Sequence, residues 1–79
     1  VIFHKLGDAE RAMRQFSYAI RVAPRAPAAY VNRAEVAIAS GQHQEALADL
    51  QRAWPLLGPR DERLARKVRA LMGVARAKT

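Results

Sequence analysis

Residues 30–50, YVNRAEVAIASGQHQEALADL, decide how this chain folds. Two stretches rich in Ala, Leu, Val and Ile flank a single glycine, Gly41. Apolar residues recurring at three- and four-residue intervals mark each stretch as an amphipathic helix, and glycine between them permits the tight turn of a helical hairpin. The spacing predicts one helix over about 28–40 and another from about 43 to the mid-fifties. Moving outward, a shift of 34 residues sets Gly7 on Gly41, Ala12 on Ala46 and Ala19 on Ala53. Apolar positions between these also coincide, with Met13 on Leu47, Phe16 on Leu50 and Val22 on Leu56. Identity at the small residues with apolar matches between them is the mark of a repeat. Ala12, Ala19, Ala46 and Ala53 let helices approach closely, and Phe16 and Leu50 fill the space beside them. One hairpin cannot bury its own apolar face, so such units must stack.

The rest of the chain falls into place around this hairpin. Val1–Leu6 reads as the tail of one helix, Gly7 as a turn, and Asp8 as the cap of a helix over about 8–22. Pro24 and Pro27 end that helix and open the next. Pro55 lacks an N–H and its ring opposes the carbonyl of Gln51, so the helix after Gly41 is expected to stop or kink near Arg52–Trp54. Gly58-Pro59 punctuates again, Asp61 caps, and a last helix covers roughly 61–77. The fold class is therefore all-α, in three parts: residues 1–26 as the second half of one repeat, 27–60 as a complete repeat, and 61–79 as a capping helix. The opening at Val1, in apolar sequence, reads as a fragment whose N-terminal part is missing.

Composition narrows the function. Fourteen Lys and Arg against seven Asp and Glu give a formal charge of +7. Residues 61–79 carry six of the basic side chains and two of the acidic ones. Acidic partners follow from such a balance. The chain has no cysteine, so it offers no disulfide, thiolate ligand or thiol nucleophile. His4 and His43 are far apart with no ligand spacing around either, and Ser17 and Ser40 lack a readable base, so neither an enzyme nor a metal or cofactor site is read. The last helix sets Leu64, Val68, Leu71, Met72 and Ala75 on one face, with Arg63, Arg66, Lys67, Arg69, Arg76 and Lys78 around them. As a basic amphipathic helix it offers a surface to nucleic acid or membrane, and as a polar-backed cap it closes a repeat array. The cap reading ranks first, and a protein partner ranks ahead of nucleic acid or membrane.

Gly7, Ala12, Phe16, Ala19 and Pro24, followed by Tyr30, Ala34, Gly41, Ala46, Leu50 and Ala53, resemble the tetratricopeptide repeat (TPR) family over nearly the whole chain. Arg33 departs from the family's usual Leu. The resemblance implies that the first helix of each unit lines a concave groove holding a partner peptide. It points to Ala28, Val31, Asn32, Glu35 and Ile38, with Ala39, in the complete unit. It points to Ala65, Arg69 and Met72, with Glu62, Arg66 and Gly73, in the last helix. Asn32 and Arg69 also fall at two places of the family's carboxylate clamp, but Ala65 stands where that clamp has Lys, so no clamp is read.

Phe16-Ser17-Tyr18-Ala19, Pro27, Ala34-Glu35 and Gly41 are similar, more narrowly, to the translocator (class II) chaperones of type III secretion. That likeness implies a bacterial, cytoplasmic chaperone holding an extended segment of a membrane-inserting protein. A generic TPR scaffold is the alternative. The incomplete N-terminal repeat also leads to an expected exposed apolar surface near Phe3 and Phe16, or to self-association that covers it.

Overall fold

In the computed structural model, residues 2–78 are described, with side chains from Asp8 onward. Helix α1 spans Ile2–Val22, α2 Pro27–Ala39, α3 His43–Ala53 and α4 Glu62–Lys78, with a 3-10 turn at Trp54–Leu56 between the last two. No strand occurs among the described residues.

Each connection has a local cause. Pro24 follows α1, where the N–H of Ala23 still reaches Ala19 O at 2.8 Å. Ala26, held extended at φ −85° and ψ 109°, precedes Pro27 at the first turn of α2. Proline restricts its predecessor to this region and tolerates the start of a helix, where its missing N–H costs nothing. At the other end of α2, Gly41 takes φ +80°. Gln42 N–H then donates to Ala37 O at 2.8 Å and Gly41 N–H to Ile38 O at 3.1 Å. This pair of bonds is a Schellman motif, which satisfies the last carbonyls of the helix and reverses the chain. Helix α3 ends at Ala53, and Pro55 lies in the first turn of the 3-10 segment, where it removes no helical bond. Asp61 then locks the turn into α4. Its carboxylate accepts the Gly58 N–H at 2.8 Å, while its own N–H donates to Gly58 O at 3.0 Å.

One expected turn is absent. Helix α1 runs unbroken from Ile2 to Val22, so Gly7 does not end a helix and Asp8 does not cap one. An interior glycine costs a helix only about 1 kcal/mol. A glycine turns the chain only where a second helix packs back on the first, and residues 2–6 instead continue the line of α1.

The helices pack in chain order, α1 on α2, α2 on α3 and α3 on α4, with a smaller contact between α2 and α4. Side-chain pairs fix the directions. Arg33 of α2 bonds both Ser17 of α1 and Asp49 of α3. The turns at residues 23–26 and at Gly41 lie midway along the chain between these partners, so α1 and α2 run antiparallel, as do α2 and α3. The molecule is only 18 Å across its thinnest dimension, about two helix diameters. Few side chains can be enclosed in so thin a body. The core is Ala29, Tyr30, Val31, Ala34, Ala37, Ala46, Leu50, Ala53, Val68 and Ala75. Six of these ten are alanines, which explains how α2 and α3 approach closely around the few larger groups, Leu50, Val31 and Val68. The buried Tyr30 directs its hydroxyl to Pro24 O at 3.0 Å and so ties α2 to the end of α1.

Candidate functional site

Helix α2 is covered on most sides, yet one line of residues along it stays open. Ala28 and Ala39 are exposed, and Asn32 and Glu35 between them are partly so. Their spacings of four, three and four residues put all of them on one stripe. Glu35 leads from this stripe to the neighbouring helix, with its Oε1 2.7 Å from Nζ of Lys67 on α4. The open stripe therefore carries small side chains at its ends and a polar middle, with a charged bridge to α4.

The remaining partner-facing expectations fare differently. Val31 is fully buried, so it belongs to the core and cannot meet a partner without unpacking. Ile38 and Met72 are partly buried and pack against the same core. Ala65 is partly buried as well. Arg69 lies over the indole of Trp54, its guanidinium carbon 5.3 Å from the ring centroid. At 100° per residue, Lys67 and Arg69 project from nearly opposite flanks of α4. The Lys67 flank faces α2, so the Arg69 flank, which includes Ala65 and Met72, turns toward the end of α3. The contacts that fix α4 thus join Lys67 to the α2 stripe and Arg69 to Trp54. The chain reaches α4 after the early end of α3 at Ala53, through the turns at Pro55 and Gly58–Asp61.

Arg33 is the residue whose role the family pattern hid. Its Nε donates to Asp49 Oδ2 at 2.8 Å and its Nη2 to Asp49 Oδ1 at 2.6 Å, a two-point fork. Its Nη1 donates to Ser17 Oγ at 3.1 Å, and Arg52 adds a second cation on Asp49 at 3.2 Å. The hydrogen bonds that Arg33 donates to Asp49 raise its pKa above its ordinary value, against the opposing effect of burial. The cluster forms the floor of a shallow cleft of ≈ 240 Å³ between α1 and α3, with Met13 and Ala48 among its walls. A larger open cleft of ≈ 540 Å³ adjoins it at Met13, between the first half of α1 and the Ser40–Gln42 turn.

The apolar surface expected near Phe3 and Phe16 falls partly outside the described residues: Phe16 is half-buried, and the side chains of Phe3 and His4 are not among them. Among the described side chains of α1, the large apolar groups left open are Tyr18 and Val22, each 66% exposed. No helix among the described residues is long and apolar enough to cross a membrane, and none of their acidic and histidine side chains form a group of three able to hold a metal. No protein-family model, curated protein or solved structure matches the chain.

Proposed function

We propose that this chain is a TPR-type helical-hairpin module that holds a peptide segment of another protein along the open stripe of α2. The observation that carries the reading is the stripe itself. Ala28, Asn32, Glu35 and Ala39 are kept open on the most enclosed helix of the fold, beside the Glu35–Lys67 bridge. Small residues at 28 and 39 leave room for a partner's apolar side chains, and Asn32 offers both a donor and an acceptor to its backbone. The narrower form of the proposal is a cytoplasmic secretion chaperone of the class II type, whose client is an extended apolar segment. A scaffold within a multiprotein complex would use the same stripe for a more polar segment.

Panning a random-peptide library on the immobilised chain tests this reading. Selected peptides should lose affinity by about tenfold or more to an Ala28→Glu/Ala39→Glu variant, because both positions are exposed and their substitution spares the core. An apolar consensus supports the chaperone form and a polar one the scaffold. Peptides that bind the variant as well as the parent would overturn the assignment.

A further inference from the structure

Helix α1 shows its solvent side as a basic face built around two large apolar groups. Arg11, Arg14, Tyr18 and Arg21 follow one another at three- and four-residue intervals, with Val22 four residues after Tyr18 and Arg25 just beyond the helix end, and all are exposed. Tyr18 and Val22, four residues apart, make a ridge along the middle of the face. None of the four arginines has a carboxylate partner among the described residues. Of the cations in the rest of the fold, Arg33 and Arg52 meet Asp49, Lys67 meets Glu35 and Arg66 meets Glu62. Four unmatched arginines around an exposed tyrosine and valine are a surface whose complement lies outside these residues.

We infer that this face docks an acidic amphipathic helix of a partner protein, distinct from the peptide on the α2 stripe. The ridge of Tyr18 and Val22 fits between apolar side chains of such a helix, and the arginines pair with carboxylates along its edges. From Asp8 to Arg25 the face is roughly 25 Å long at the rise of an α-helix, enough for a partner of about five turns. Its charge is graded, with exposed Glu10 at one end and arginines after it. The partner should therefore be acidic over most of its length and basic at one end.

This gradation separates the proposal from its rivals. A nucleic acid is uniformly negative and would meet Glu10 unfavourably. A membrane surface needs a broad apolar face, and Met13 and Ile20 of α1 pack toward the core. A symmetric contact with a second copy would set these four arginines against four more.

Fluorescence anisotropy of the full chain with a synthetic helix of Leu, Ala and Glu, ending in two lysines, provides the test. A scrambled peptide of the same composition serves as control. Binding should weaken by about tenfold or more in Tyr18→Ser/Val22→Ser and again in Arg14→Glu/Arg21→Glu, and should fall as salt rises. Circular dichroism of each variant should match the parent, since every altered residue is exposed. The Ala28→Glu/Ala39→Glu variant should bind this probe unchanged, which keeps the two proposals separable. Several results would overturn the inference. These are an absence of binding, equal affinity for the scrambled peptide, or retained affinity in Tyr18→Ser/Val22→Ser. Tighter binding of poly(U) or anionic vesicles would do so too, as would a parent dimer that Tyr18→Ser/Val22→Ser converts to monomer.

Discussion

Arg33 and Asp49 clasp α2 to α3 through two parallel hydrogen bonds of 2.8 and 2.6 Å, with the aspartate side chain only 5% exposed. The same guanidinium reaches Ser17 on α1, so one side chain links three of the four helices. Removing the arginine leaves a buried carboxylate facing only Arg52, a contact of 3.2 Å from a mostly exposed side chain. Arg33→Leu should therefore cost about 2–3 kcal/mol, somewhat less than a wholly buried pair because Arg33 keeps some solvent contact. Arg33→Leu/Asp49→Leu should recover most of that loss, since no charge is then stranded. Urea denaturation of the two single variants and the double one measures the coupling. Additive losses would show that the fork contributes nothing beyond its separate parts.

The fork also fixes a dependence on pH. The folded pKa of Arg33 is raised by Asp49 above its unfolded value, so the arginine stays charged through the alkaline range and its contribution is lost only as pH climbs beyond the ordinary arginine range. In Arg33→Lys the cation instead titrates from an unfolded value near 10.4, and a raised folded value above that. Its stabilisation should be present at neutral pH and fade as pH climbs through the lysine range. The difference in melting temperature between parent and Arg33→Lys should thus widen between about pH 9 and pH 11. A constant difference would mean that the charge on residue 33 does not hold the helices together.

Two glycines of the same chain should respond to alanine with opposite signs. Gly41 has φ +80°, and a Cβ there would meet no atom within 4 Å, so the cost is that of the backbone alone. Gly41→Ala should destabilise by about 1 kcal/mol. Gly73 lies inside α4, again with open space where a methyl group would stand, and carries the entropy of glycine without using it. Gly73→Ala should stabilise by about 0.5–1 kcal/mol. In a domain of this size those changes shift the melting point by roughly 4–8 °C per kcal/mol, within easy reach of calorimetry. A shift of the same sign in both would contradict the left-handed turn at Gly41.

These residues also show what can be read from the sequence and why the rest cannot. Gly41, Pro24, Pro27 and Pro55 act through their own backbones, so the turns and the end of α3 are legible one position at a time. Gly7 misleads because a glycine turns a chain only if a partner helix packs back on it, which is a tertiary condition. Arg33 stands out as a departure from the TPR pattern. Its partner Asp49 becomes evident only once the hairpin is centred on Gly41 and residues equidistant from it are paired. Val31 shares its spacing with the open α2 residues, but spacing gives a stripe and not its neighbours, and α3 and α4 cover that side. Arg69 is placed by the same spacing, and its contact with Trp54 becomes evident only in the folded chain.

Arg69 over Trp54 is the contact that holds α4 in this rotation, and it joins a side chain of α4 to the 3-10 turn that precedes it. Trp54 remains 41% exposed, so the guanidinium acts partly as its cover. A cation over an exposed ring contributes about 0.5–1 kcal/mol, and the indole reports on it directly. Arg69→Ala should lower stability by that amount and shift the tryptophan emission to the red, as water takes the place of the guanidinium. Arg69→Lys should give an intermediate shift, because an ammonium keeps the charge without the flat stacking surface. Trp54 is the chain's one tryptophan, so the signal needs no deconvolution. If the emission maximum is the same in all three proteins, Arg69 does not rest on Trp54 in solution.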